Sequence, residues 1–376
     1  MKEHQTLYLE LIKKSLWKTE VNSTLFEGIY TEGWQKILKL SGRQRTTAFI
    51  TQSILSLPQP LQPSKLQQWK LLLETEKIEE ANHRLNRMIA FLSEEYHHIQ
   101  APFILLKGQG VALNYPDPSK RTPGDIDLFF YRKGDYQKTK EWVLRGEYAL
   151  EPESAVHMGF DIQGIHVENH RLIAHIGRKK YNKSFQKETE NLIHSNLWQE
   201  TQLGETKVQL LPPTFNACFL FLHLFHHFIH SGVSMRQLCD WILHLSANEE
   251  QINQQEAGLF LKQLALNKPA SLFAGIAEKY LGARPGIFPV EPAFHPVLTE
   301  IIIKDILEGG HFGRYHPGRK RPCGLWAGRA HAYLATVKRS VKLVRIAPKH
   351  ILLLPYTKLI HRIKLTIQIK SSDTST

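Results

Sequence analysis

The chain has only three cysteines in 376 residues, Cys218, Cys239 and Cys323, and none stands at the short spacing of a metal knuckle. An odd, unpaired set excludes a disulfide framework and points to a reducing compartment, with the thiols serving as small buried hydrophobes. No window reaches about 18 apolar residues without charge, which excludes a membrane-spanning helix. The opening MKEHQTLYLELIKKSLW alternates charged and apolar residues and so lacks the apolar stretch of a secretory signal. Internal repeats and low-complexity runs are missing too, and only Ser371 to Thr376 has the composition of a disordered end. These absences predict a soluble, cytoplasmic protein.

Acidic residues are missing from one region. Between His311 and Ser372 there are 14 Lys or Arg and no Asp or Glu, while residues 1 to 310 hold 34 of each sign, so the net charge of +13 sits in the C-terminal tail. Lys338, Arg339, Lys342 and Arg345 stand there at helical spacing among Leu334, Val337, Val341, Leu343 and Val344, ahead of an apolar ILLLP. Such a helix closes the domain at its surface, lies on an anionic membrane surface, or binds nucleic acid. The second choice would make the protein peripheral to the membrane.

What is present suits a globular chain with a core and additions: 42% apolar and 22% charged residues leave no room for global disorder. Residues 1–100 form an N-terminal helical region. Leu7, Leu9, Leu11, Ile12 and Leu16 recur at helical intervals, as do Trp34, Ile37, Leu38 and Leu40. Pro58, Pro60 and Pro63 precede a long helix from Ser64 to about Ile99 with Leu66, Trp69, Leu72 and Leu73 on one face. This region is expected to cap a sheet, with a coiled-coil dimer arm as the alternative. Residues 212–310 form a C-terminal helical region, including helices from Phe215 to His230 and from Met235 to Leu245, and residues 311–376 the basic tail.

Between these regions, residues 101–211 carry the chemistry. Phe103 to Leu106 is a short buried strand that breaks at Lys107-Gly108 into a segment able to start a helix. A second apolar run carries Asp125 and Asp127. Alternation puts these two carboxylates on one face and Ile126 and Leu128 on the other. Two like charges side by side are tolerated where a divalent cation neutralises them, and hard oxygen ligands suit Mg2+ or Mn2+. Gly108 lets the backbone approach a ligand, and an adjoining helix start offers N–H groups to phosphate. These are parts for phosphoryl or nucleotidyl transfer. Further on come a helix from Asp135 to Arg145 and a hairpin from Val156 to His170 turning at Gln163-Gly164, whose second strand places His166, Glu168 and His170 on one face.

The order Leu106-Lys107-Gly108, Tyr115-Pro116-Asp117-Pro118, Arg121 and Gly124-Asp125-Ile126-Asp127-Leu128 resembles the DNA polymerase beta-like nucleotidyltransferase superfamily and, more narrowly, its family of uncharacterised nucleotidyltransferases. Glu168-Asn169-His170 matches that family's acidic-x-His pattern, and His223, His226, His227, Arg236 and Asp240 match its His-rich helix and the Arg and Asp that follow. The chain departs from the superfamily at Gly108-Gln109, where Gly-Gly or Gly-Ser is usual, and in the 16 residues between Gly108 and Asp125. Gly309-Gly310-His311-Phe312-Gly313 resembles a Gly-Asn-Phe-Gly of relatives, with His in place of Asn.

The resemblance implies an α+β fold, a small mixed sheet of nucleotidyltransferase type flanked by the N-terminal and C-terminal helical regions. It implies a metal-dependent transferase: two Mg2+ ions, or Mn2+, bridged by Asp125 and Asp127, with Glu168 as third ligand or general base, move a nucleotidyl group from a nucleoside triphosphate to an unidentified hydroxyl acceptor. Lys107 and Gly108 are candidate nucleotide-binding residues, Lys107 being otherwise a solvated lysine at a strand end. Arg121 meets a phosphate or pairs with Asp117. His157 and His170 flank the site as substrate ligands or structural histidines. His223, His226, His227 and His230 line the cleft, bonded to Asp240, or hold zinc. The competing expectation is a catalytically silent nucleotide-binding or scaffold protein with a basic surface. Oligomeric state is not legible.

Overall fold

The computed structural model describes residues 1–316 and 324–358. The expectations for Cys323 and for Ser371 to Thr376 lie outside them. Four helices come first: α1 (Glu3–Trp17), α2 (Thr31–Gln44), α3 (Thr47–Leu55) and α4 (Lys65–His98). The central region then runs β1 (Ile104–Leu106), α5 (Gly108–Ala112), β2 (Ile126–Phe129), α6 (Asp135–Arg145), β3 (His157–Ile162), β4 (Ile165–His170), α7 (Lys179–Ser195), β5 (Gln199–Leu203) and β6 (Thr206–Leu210). Helices follow again: α8 (Pro213–His230), α9 (Met235–Ala247), α10 (Gln254–Gln263), α11 (Asn267–Leu281), α12 (Pro296–Gly309), α13 (Leu325–Leu343) and α14 (Pro348–Ile351).

The six strands form one mixed sheet in the order β3-β4-β2-β1-β6-β5. β2 runs antiparallel to β1 and parallel to β4, so Asp127 lies opposite Leu106 on one side and Glu168 on the other. The β3–β4 hairpin turns on Gln163 and Gly164, both left-handed at φ 50° and 73°, the geometry of a tight primed turn. Alternation then divides the sheet. Leu105, Ile126, Leu128, Met158, Phe160 and Val167 point to one side and pack with Leu85, Met88, Ile89 and Leu92 of α4 and Val143 of α6. The other side carries Ile104, Leu106 and Phe129, which join the larger core with α8, α9 and α11.

The N-terminal helices differ from the expected cap. Only α4 packs on the apolar side of the sheet, while α1 to α3 belong to the core of the C-terminal helices. Trp17 donates to the Leu281 carbonyl at 2.6 Å, and Gln44 bridges the Ile306 carbonyl and the Met235 amide at 2.7 Å each. The buried stripe of α4 also differs from the one read off its leucines. Leu66, Trp69, Leu72 and Leu73 face solvent, whereas Leu71, Thr75, Ile78, Asn82 and Leu85 face inward. Two polar residues in that stripe hid it: Thr75 bonds Thr51 at 2.8 Å, and Asn82 donates to the Arg121 carbonyl at 2.9 Å.

Two basic residues of the tail helix, Arg339 and Lys342, reach a buried acid, while Lys338 and Arg345 are exposed. Asp305 on α12 is fully buried and takes Arg339 at 2.8 Å and Lys342 at 2.8 Å, while Arg339 also donates to the Phe228 carbonyl at the end of α8. Leu343, Ile346, Ala347, Ile351 and Leu354 are buried, and Leu334 and Val341 are exposed. Among the described residues, no helix is long and apolar enough to cross a membrane. Cys218 and Cys239 are buried free thiols.

Candidate active site

The polar side of the sheet centres on Asp127. Lys107 Nζ stands 2.8 Å from its Oδ1, and His170 Nε2 stands 3.0 Å from the same atom and 3.1 Å from Glu168 Oε2. The register that sets Glu168 opposite Asp127, with His170 two residues on, brings both carboxylates to one imidazole. Burial alone would raise the Asp127 carboxyl, but the Lys107 ammonium and His170 outweigh it and hold it well below the usual range. His170 is moved the other way: burial opposes its proton, and hydrogen bonds to Asp127 and Glu168 raise it.

Asp125 has no such cation. It stands just before β2, exposed to the cavity, and burial together with the charges of Asp127 and Glu168 pushes its carboxyl up. His157, across the hairpin from His170, completes a group with Glu168 and His170 whose ligand atoms all lie within 4.8 Å of one another. Burial lowers His157, so its ring is neutral at pH 7.

Lys107 reaches Asp127 from a strained turn. Its φ of 46° with ψ of −138° falls outside the ordinary left-handed basin, at a cost on the order of 1–3 kcal/mol. Gly108 follows at φ 40°, where a side chain would be strained. The helix after it, α5, has only five residues.

Arg121 does not pair with Asp117. It is buried against Asp240, Nε to Oδ1 at 2.8 Å and Nη2 to Oδ2 at 2.9 Å, while Tyr115 donates to the same carboxylate at 2.7 Å. Asp117 takes Lys120 instead, at 3.0 Å. The Arg121–Asp240 fork ties the loop before Asp125 to α9, and only Arg121 Nη1 is left without a partner.

A cavity of about 1090 Å³ lies between this sheet face and α8. Lys107, Asp125, Asp127, Glu168 and His170 line one side, and His223, His226, His227 and His230 the other. Asp240 makes its bonds to Arg121 and Tyr115, not to these histidines. The α8 histidines pair, His223 edge to face with His227 at 4.4 Å and His226 tilted against His230 at 4.3 Å between ring centroids. No zinc-like group forms on α8 among the described residues. Burial lowers His227 to about 3 and His230 to about 2, and it lowers His244, on α9, to about 4.

These histidines set the acid stability. Each has a folded pKa below the unfolded value of about 6.5, so the unfolded chain takes up protons first as pH falls. Stability is full above about pH 6.5 and declines below it, by up to about 1.4 kcal/mol per pH unit for each fully buried ring and less for those facing the cavity. A loss of roughly 3 kcal/mol or more is expected between pH 6.5 and 4.5, read from urea midpoints. His244→Asn should make the slope shallower; an unchanged slope would place the acid lability elsewhere.

Sequence reasoning missed Arg45 and Arg314, which also line the cavity. Neither sits in a periodic pattern or beside the carboxylates in sequence, so nothing marked them. A family model described as "Uncharacterised nucleotidyltransferase" matches residues 30–282. Among solved structures the chain is similar to an antigenic nucleotidyltransferase-like protein from Paracoccidioides brasiliensis, at 14% identity over 53% of this chain and 93% of that one, with a TM-score of 0.34. No functionally curated protein matches the sequence.

Proposed function

This chain belongs to the uncharacterised nucleotidyltransferase family, and from that premise we propose that it transfers a nucleotidyl group from a nucleoside triphosphate to a hydroxyl acceptor, with divalent cations held by Asp125, Asp127 and Glu168. The observation that carries the reading is Asp125, which forms no ion pair among the described residues, beside two further carboxylates in one cavity. That donor set fits Mg2+, for which carboxylate oxygens are the natural ligands, and Mn2+ as well. Bound there, the metal would supply Lewis-acid stabilisation of the phosphate and acidify the attacking hydroxyl.

The chain's own residues do the rest. Lys107, at the mouth of the Asp127 carboxylate, offers its ammonium to the phosphates, and Gly108 holds the turn that points it there. Arg121, locked on Asp240, positions the loop that ends at Asp125. In the reaction the acceptor oxygen forms a bond to the α-phosphorus, the bond from that phosphorus to the bridging oxygen breaks, and pyrophosphate leaves with the electron pair. The hydroxyl proton passes to a base of the site, for which Glu168 is the candidate.

Labelled nucleoside triphosphates incubated with the protein, Mg2+ and a cell extract test the reading. Glu168→Gln is expected to lower transfer by about 100-fold or more while its melting point stays close to wild type. Absence of Mg2+-dependent triphosphate binding by the wild type would overturn the enzyme and favour a scaffold.

A further inference from the structure

The nucleotidyl reading leaves several cations of the cavity without a task. Arg236, in the first turn of α9, is half-buried and lines the cavity. Its Nη1 donates to the Thr122 and Pro123 carbonyls at 2.8 and 3.3 Å, and its Nε is buried without a partner. The carboxylate that would neutralise it, Asp240, is already held by both oxygens on Arg121. Burial and the neighbouring Arg121 charge lower Arg236 to about 10, so it keeps its charge at neutral pH. A cation taken out of water without a counter-ion is costly, and a guanidinium fork fits an oxyanion.

Two more arginines gather at the same end. Arg45 follows α2 in a left-handed conformation at φ 58°, and Arg314 follows the Gly309–Gly313 motif. Neither side chain forms an ion pair among the described residues. The glycines of that motif explain its sequence: Gly313 lies so close to the end of α8 that a β-carbon would collide with the Ser231 carbonyl oxygen. Phe312, left-handed at φ 51°, packs on His311 at 4.0 Å and on His227 at 4.7 Å, and the chain then delivers Arg314 to the cavity wall. After burial, the groups that bear most on His311 are Arg236, Arg45 and Arg314, and those that bear on His227 are His226, Lys107, Arg236 and Asp127. Arg236 thus reaches the loop that ends at Asp125, and with Arg45 and Arg314 it bears on His311 at the same cavity.

We propose that Arg236, with Arg45 and Arg314, forms a second anion subsite that binds a phosphate or carboxylate group carried by the acceptor. The substrate class is an anionic hydroxyl compound, and the acceptor part of the proposal rests on the nucleotidyl reading.

Inorganic phosphate, titrated calorimetrically into the full-length metal-free protein, probes the subsite, and each Mg2+–triphosphate complex probes the nucleotide site. Arg236→Gln and the double variant Arg45→Gln/Arg314→Gln are expected to weaken phosphate binding tenfold or more while leaving Mg2+–triphosphate binding within about twofold. The double variant removes no buried hydrogen bond and guards against misfolding of the Arg236 variant. Wild-type phosphate affinity in the double variant would overturn the subsite. Equal losses for phosphate and triphosphate would assign the arginines to the nucleotide and overturn the acceptor part. A wild type that binds phosphate through these arginines but no triphosphate would sink the nucleotidyl reading and leave an anion site alone.

Discussion

Asp125→Asn and Asp127→Asn should each lower nucleotidyl transfer by about 1,000-fold, about 4 kcal/mol of transition-state stabilisation, yet move the stability of the metal-free protein in opposite directions. Asp127 is the buried counter-charge of Lys107 and His170, at 2.8 and 3.0 Å. Removing its charge strands the Lys107 ammonium and weakens the His170 contact, and breaking a buried pair in this way costs about 3–5 kcal/mol. Burial and the charges of Asp127 and Glu168 outweigh His166 and Lys107 at Asp125, and its raised carboxyl pKa means that the folded state disfavours the ionised form. The amide mimics the neutral form, so Asp125→Asn should hold or raise the urea midpoint above that pKa. Transfer assays and metal-free denaturation of both variants check this. If either variant keeps near wild-type turnover at saturating Mg2+, the metal assignment is wrong.

Truncation after Gly324 should abolish cooperative unfolding. The removed segment buries Leu343, Ile346, Ile351 and Leu354, each worth roughly 1.5–3 kcal/mol, a sum that rivals the whole stability of a typical domain at about 5–15 kcal/mol. It also strips Arg339 and Lys342 from fully buried Asp305. Burial would raise the Asp305 carboxyl, but His316, Arg339 and Lys342 hold it well below the usual range. Its contribution is therefore present above about pH 4, the unfolded value, and is lost as pH falls further. Thermal melts of the truncated chain, with vesicle and RNA binding of the intact protein at low salt, decide the role of the tail. A truncation that melts like wild type, with polyanion affinity in the intact chain, would show a peripheral binding arm.

By itself, the sequence determined whatever depends on near neighbours. Strand period and turn chemistry put Asp127 and Glu168 on polar faces and set the hairpin at Gln163-Gly164, and the Ser64–Gln67 capping box started α4. The strained Lys107-Gly108 turn was visible as a break between an apolar strand and the segment after it. Tertiary structure alone decided which distant charges meet. Arg121 finds Asp240 across 119 positions, and Asp305 finds Arg339 across 34. No periodicity records such pairings, because they depend on how whole helices dock. Polar residues in a buried stripe, Thr75 and Asn82 on α4, likewise look like solvent positions until their partners on other elements are in place. The same limit concealed the setting of Arg236: its buried Nε lacks a partner only because the fold gives Asp240 to another arginine.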